Sequence, residues 1–373
     1  MAVEHSFPTG GTVQGPDLVG REGTLAELFE RTYQHKTSVL LSAARQTGKT
    51  SVADELLRRV RAAGGWGIYI DCSAATDDER DLADLIANST YDQAAGSKGA
   101  FAKLKDAISG VPKPMLFQTD LDLSLAFYGG RHESAPRLLT RAFALADDLA
   151  SQKDKRCVVV YDEFQWLNRV SPTLISRARA ELQHRMTHTA YVFMGSEVGL
   201  LNELFKSERR MPFRLATPMP LPLPSPADWH VYIANRFNAL RVSVSGNDID
   251  DMIEFAGCHP RDLMEVCEQL LVLRSISANS PGAVELAKAR TLEGLRAPFE
   301  EIWKRLERPK GTWTTAARIA QKQAVYGRGR ARQPTARTIE KLEREGVIHK
   351  TGRGSYEFIE PLFGAYVRDL TTR

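Results

Sequence analysis

The sequence predicts an α/β fold built on a parallel sheet, followed by a helical unit and a basic C-terminal module. Three observations predict it. Short apolar runs alternate with amphipathic helical stretches over the first half of the chain. A phosphate-binding loop joins the first of these runs to a strong helix. The charge is also uneven: residues 301–373 hold 16 Lys and Arg against 8 Asp and Glu, while the remainder holds 34 against 38. A basic tail on a mildly acidic body points to a polyanionic partner at one end of the molecule.

At 373 residues, with 43% hydrophobic and 26% charged residues, the chain is too long for one ordinary domain and too apolar for disorder. Cys72, Cys157, Cys258 and Cys267 have neither metal-ligand spacing nor the density of a disulfide framework, which points to a reduced, cytoplasmic compartment. No apolar run reaches the length of a membrane span. His184 and His188 sit four apart without a third ligand nearby, as on a helix surface, so no metal site is expected there.

In chain order, residues 1–17 have no apolar core and read as a flexible lead, not a secretory signal. Leu18-Val19-Gly20-Arg21-Glu22 opens a packed segment, and a helix continues through Leu25, Leu28 and Phe29. The runs Ser38–Ser42, Gly67–Asp71, Cys157–Tyr161 and Tyr191–Gly195 are short, apolar and rich in β-branched or aromatic residues, as buried parallel strands are. Residues 115–127 place Leu121, Leu123, Leu125 and Phe127 on one face, as in an extra strand or hairpin before a helix at 137–150. Met211–Pro226 carries six prolines. Proline cannot donate into a ladder, so this stretch reads as an edge strand running into a stiff linker. The expected units are an α/β core over 18–226, a helical lid over 227–300 and a third unit over 301–373.

Ala43-Ala44-Arg45-Gln46-Thr47-Gly48-Lys49-Thr50 follows the first strand and opens the helix 51–60. A helix N-terminus offers unpaired N–H groups and a positive dipole end to phosphate. Gly48 allows close backbone approach, Lys49 reaches the β/γ-phosphates, and the Thr50 hydroxyl suits Mg²⁺. The first glycine of the usual pattern is Ala43 here. About 110 residues on, Arg156-Cys157-Val158-Val159-Val160-Tyr161-Asp162-Glu163 is an apolar strand ending in two carboxylates. Beside a P-loop, Asp162 is suited to hold Mg²⁺ and Glu163 to orient or deprotonate an attacking water, which points to hydrolysis.

Together these elements resemble the archaeal-type ATPase family of the AAA+/STAND class, relatives of Orc/Cdc6-like initiators and transposon regulators. The resemblance rests on Leu18–Glu22, on Ala43–Ser51 (Arg45, Thr47, Gly48, Lys49, Thr50 and Ser51 agreeing), on Tyr69-Ile70-Asp71 and on Asp162–Leu167. It implies an AAA+ core, a helical lid, a C-terminal winged helix, ATP and Mg²⁺ as cofactors, and self-association. It carries nucleotide contacts onto Gly20, Arg21, Ala43, Arg45, Gln46, Thr47, Gly48, Lys49, Thr50 and Ser51. Ser196, in Met194-Gly195-Ser196, would stand near the γ-phosphate, or would cap the next helix. Arg214, in Met211-Pro212-Phe213-Arg214, is the candidate arginine finger, with Arg209 and Arg210 as competitors. Arg261, in Gly257-Cys258-His259-Pro260-Arg261, would reach the phosphates from the lid.

In the basic end, Ala336, Ile339 and Leu342 fall on one helical face, and Gly346 stops the helix. Val347-Ile348, a turn over 349–355 and Tyr356–Ile359 follow as strand, basic turn and strand. With earlier helices at 299–308 and 313–324, this is the outline of a winged helix-turn-helix. Arg337 and Lys341 on the helix, Lys350 and Arg353 at the wing, and Arg328 and Arg330 in the preceding loop would contact DNA phosphates. The same module could instead contact a partner protein. Two readings follow: an ATP-hydrolysing switch coupled to DNA, and a slowly turning signalling scaffold that holds its nucleotide.

Overall fold

The computed structural model describes residues 6–43, 46–76, 78–94, 134–184, 186–195, 215–277, 281–306, 312–326, 332–352 and 354–372. Helix α1 (Glu22–Phe29) precedes β1 (Val39–Ser42), and the phosphate loop leads into α2 (Lys49–Ala62). Then come β2 (Trp66–Asp71), α3 (Glu79–Ala94), α4 (Ala135–Gln152), β3 (Cys157–Asp162), the short α5 (Leu167–Val170), α6 (Leu174–Gln183) and β4 (Thr189–Gly195). The strands form one parallel sheet in the order β2-β3-β4-β1-β5, with β5 spanning Thr217–Pro220.

Both faces of the sheet are buried, which is why its strands read as continuous apolar runs. Val39, Leu41, Val158, Val160, Val192 and Met194 pack under α1 and α2. The alternate residues Leu40, Ile68, Ile70, Val159, Tyr161 and Phe193 pack under α3, α4 and α6. The expected proline-rich edge strand is β5, bonded only to β1. Thr217 N and Leu221 N donate to Ser38 O and Ser42 O at 2.9 and 3.0 Å. Pro218 and Pro220 occupy alternate positions whose missing N–H groups would face away from the ladder. The expected strand or hairpin at 115–127 lies outside the described residues.

Beyond β5 the chain turns helical: α7 (Pro226–Ala239), α8 (Gly246–Ala256), α9 (Pro260–Ile276) and α10 (Ala283–Leu306). Ser225 with Asp228, and Ser245 with Asp248, form reciprocal capping boxes that start α7 and α8. The expected boundary at 300 falls inside a helix. A single helix, α10, runs through it with Pro298 in its interior. An interior proline costs a helix about 3 kcal/mol. Here each half of α10 is fixed by a different core: Ala283, Val284 and Ala287 join the lid cluster, while Phe299, Trp303 and Leu306 join the C-terminal one.

That C-terminal cluster also holds α11 (Thr312–Ala320), α12 (Arg332–Arg344), the antiparallel pair β6 (Ile348–Gly352) and β7 (Ser355–Phe358), and α13 (Pro361–Thr372). Ile339 and Leu342 are buried as expected, but Ala336 is exposed, and Thr338 takes its place on the inner face. Among the described residues no helix is long and apolar enough to cross a membrane.

The residues 6–17 are not a free lead. Phe7 is 2% exposed and packs in the lid cluster 4.8 Å from Phe237, centroid to centroid, with the rings tilted by 52°. A lone aromatic in a polar stretch carries no periodic signal, so the sequence gives no hint of this anchor.

Helix α2, which carries the phosphate loop, is tied to α1 by a charge network centred on the buried Glu55. Glu55 accepts hydrogen bonds from Arg58 and Arg59, and Arg59 also donates to Glu22 of α1 at 2.7 Å. Arg58 first, then Arg59, hold the Glu55 carboxyl at about 2 instead of the ordinary 4.5. A carboxyl lowered on folding contributes stability above its unfolded value and loses it as pH falls through the folded one. Glu55→Gln is therefore expected to lower stability by about 1–2 kcal/mol at pH 7. The gap to wild type should narrow between pH 4.5 and 2, as read by urea denaturation across that range.

Candidate active site

Parallel strands bring their carboxyl ends to one edge of the sheet, where α/β folds bind ligands. The register sets Ser42 beside Gly195 and Asp71 beside Asp162. From β1 the phosphate loop turns into α2, whose first residue is Lys49. Gln46 and Gly48 have φ of 58° and 90°. Gly48 adopts that left-handed conformation without steric cost. The loop thus presents the N-terminus of α2, with its unpaired N–H groups, to the cleft. Lys49 is 7% exposed, and its Nζ donates to Ala43 O at 3.2 Å.

Asp162 ends β3 and is 5% exposed. Its Oδ1 accepts from Glu163 N at 2.8 Å. Its Oδ2 accepts from Thr50 Oγ1 at 3.1 Å and from Tyr69 Oη at 2.7 Å. A hydroxyl and a carboxylate side by side are hard oxygen ligands of the kind Mg²⁺ takes. Glu163 has φ of 47°, a strained conformation for a residue with a side chain, and its carboxylate accepts from Gln165 Nε2.

These groups line a cleft of about 800 Å³. The phosphate loop and the acidic pair supply part of its lining. Trp166 and Arg169 add a cation–π pair, the guanidinium carbon 4.3 Å from the ring centroid. Arg261, exposed on the first turn of α9, lines the cleft with Pro260 and Met264. The segment 8–13 lines the cleft as well, with Asp17, Ser73 and Trp229.

That segment is strapped at both ends. Phe7 N donates to Glu268 of α9 at 3.0 Å, and Arg236 of α7 donates to Ser6 O at 2.7 Å. Asp17 accepts from Tyr232 and Arg236 of α7. Between these anchors, Val13 N donates to Ser51 Oγ of α2 at 3.1 Å. Thr12 hydrogen-bonds the Asp54 carboxyl, which burial nonetheless pushes up. Ser51, expected at the nucleotide, therefore also holds this strap.

Gly20 and Arg21 fall outside the cleft lining. Arg21 is 3% exposed, and its guanidinium donates to Thr47 O at 2.7 Å and to Pro222 O. Burial alone pulls it down to about 10. It braces the phosphate loop against the chain following β5. The opening motif signals a site, but only packing decides that its arginine faces the loop's rear.

Arg45, Ser196 and Arg214, with Arg209 and Arg210, lie outside the described residues, as do Arg328, Arg330 and Arg353. Arg337 on α12 and Lys350 on β6 are exposed. Lys341 is not free to project: it is half-buried, with Nζ 3.5 Å from Leu306 O at the end of α10. Tyr69, Gln165 and the 8–13 segment were not legible as site residues. Each acts through a partner distant in sequence or through an unremarkable residue type.

The fold and the loop define a P-loop nucleotide-binding protein. Residues 17–192 match the AAA ATPase domain family. No curated protein matches the chain. Among solved structures, the Walker-type ATPase of Pyrococcus abyssi superposes with a TM-score of 0.70 at 20% identity, over 97% of this chain and 99% of that one. The Orc2 protein of Aeropyrum pernix, in ADPNP–ADP complexes, gives 0.60 at 13% identity over 98% and 96%. Cdc6p from Pyrobaculum aerophilum gives 0.50 at 14% over 98% of each. Residues 17–192 thus resemble an AAA ATPase domain, and the chain has the fold of the archaeal Walker-type and Orc/Cdc6-like ATPases. These findings support an ATPase activity.

Phe7→Ala removes the anchor of the strap, and truncating a buried aromatic costs about 3–5 kcal/mol at its site. The expected outcome is rapid protease cleavage within 8–13, measured by limited proteolysis, with the far-ultraviolet spectrum of the wild type retained.

Proposed function

We propose that the protein is an ATP-driven switch whose nucleotide state sets DNA binding and self-assembly. The observation that carries the reading is the meeting of Thr50 and Asp162 at 3.1 Å, beside Glu163 and at the mouth of the α2 N-terminus. A phosphate chain entering the cleft accepts N–H groups from Gln46–Thr50 and meets Lys49, whose ammonium leaves Ala43 O for it. Thr50 and Asp162 would hold Mg²⁺, which neutralises charge building up on the phosphates when bound. Glu163 holds the attacking water and takes its proton once its carboxylate is released by Gln165. Arg261 approaches the phosphates from α9, so nucleotide loss and lid movement are linked. Arg45 and Ser196 are assigned to the phosphates, and Arg214 to a neighbouring subunit's site, on the motifs that contain them.

The C-terminal module supplies the DNA arm of the reading. Helix α12 followed by the β6–β7 hairpin has the outline of a winged helix-turn-helix, and the unit carries a surplus of cations. Arg337 on α12 and Lys350 on β6 are exposed cations of this unit, and Arg328, Arg330 and Arg353 extend the set by sequence. A second reading, a slowly turning scaffold that holds its nucleotide, is favoured by one contact. Gln165 engages the very carboxylate that hydrolysis needs.

Steady-state ATP hydrolysis, with and without duplex DNA, tests both. The switch reading expects turnover that rises with DNA and is abolished by Lys49→Ala. Glu163→Gln should lower kcat by about 10²–10⁴ while leaving ATP binding intact. Turnover no faster than the Lys49→Ala blank in both conditions overturns the switch in favour of the scaffold. For DNA itself, the double variant Arg337→Ala/Lys350→Ala should weaken duplex binding. It should also reduce the slope of log K against log salt by about 2, measured by fluorescence anisotropy in a salt series.

A further inference from the structure

We propose that Tyr69 is a positioning residue for the metal end of the site: its hydroxyl fixes the Asp162 carboxylate in the orientation that receives a divalent cation. The proposal rests on the ATPase reading above and adds to it a residue on a different strand.

Tyr69 stands on β2, opposite Val160 of β3. Side chains two apart on a strand share a face, so Tyr69, Val160 and Asp162 point to the same side, under α2. The phenol reaches toward the carboxyl end of the neighbouring strand and donates to Asp162 Oδ2 at 2.7 Å. Thr50 of α2 donates to the same oxygen at 3.1 Å, and Glu163 N donates to Oδ1 at 2.8 Å. An ionised carboxylate has about four lone-pair sites. Three donors, from β2, from α2 and from the next residue in the chain, leave it about one, and with both oxygens pinned the carboxylate cannot rotate freely.

The arrangement suits a cation. Thr50 can turn a lone pair toward a metal while its proton stays on Asp162, and Tyr69 asks nothing of the metal at all. A phenol keeps its proton throughout the physiological range, so Tyr69 remains a donor. Donors of this kind, one layer behind a metal ligand, commonly change metal affinity by about 10–100-fold when removed. Without the hydroxyl, Oδ2 keeps only the weaker and longer contact from Thr50.

The test uses the full-length chain, a fluorescent ATP analogue and a MgCl₂ titration. Tyr69→Phe keeps the ring and removes only the donor. The expected result is a Mg²⁺ midpoint for nucleotide binding raised about tenfold. Affinity in EDTA should match wild type, and kcat should recover at saturating Mg²⁺. Tyr69→Leu, lacking the same hydroxyl, should give the same shift. A purely structural tyrosine would instead lower the melting temperature with no change in midpoint, and that result overturns the proposal. So does a loss of affinity that is equal with and without Mg²⁺. Wild-type protein that binds the analogue with no Mg²⁺ dependence overturns the ATPase reading itself, a different outcome from an unchanged variant.

Discussion

The contact between Thr50 and Asp162 joins residues 112 apart in sequence, and the rest of the site depends on it. It exists because β1 and β3 run parallel and end at the same edge of one sheet. A parallel sheet needs both faces covered and long crossovers between its strands. The helices that cover it, α1 and α2 on one side and α3, α4 and α6 on the other, are therefore the condition for the two ends to meet. The strand between them, β4, is wholly buried. Its bulk sets the gap that α2 and its loop must bridge.

Around that contact the site is held from behind by groups that never face the cleft. Arg21 fastens the phosphate loop to the chain after β5, and the Glu55–Arg59–Glu22 network fastens α2 to α1. Burying a guanidinium among backbone carbonyls is costly unless each N–H finds an acceptor. Arg21 finds them only when the loop and Pro222 are both in place. The loop's shape is thus linked to the docking of the edge strand β5, and through it to the start of the lid.

The lid is in turn connected to both ends of the chain. The strap at 6–17 ties α7 and α9 to α2, so a movement of the lid pulls on the helix that carries the phosphate loop. On the other side Gly257 ends α8 in a left-handed conformation with φ of 57°, and a Cβ there would meet Pro361 of α13 at 2.6 Å. Only glycine permits that approach. Helix α10 is shared between the lid and C-terminal cores, so the C-terminal module is packed onto the lid.

The sequence by itself determined what local chemistry determines. Apolar runs such as Cys157–Asp162 fix strands, and Gly48-Lys49-Thr50 at a helix start fixes a phosphate loop. Alternate prolines at 218 and 220 fix an edge. Gly346 ends a helix, and the stretch after it returns as a hairpin. These signals are short-range, so they are written in neighbouring residues. What only the tertiary structure decided is what depends on partners far along the chain. Phe7, a lone aromatic in a polar stretch, became a lid anchor because Phe237 and its neighbours leave it a place. Pro298 failed to end a helix because two separate cores hold its halves. Arg21 turned to the rear of the loop, Lys341 folded onto Leu306, and Tyr69 reached Asp162 from a neighbouring strand. In each case a side chain's role was set by the nearest acceptor or cavity, and those become neighbours only when the sheet and its helices close.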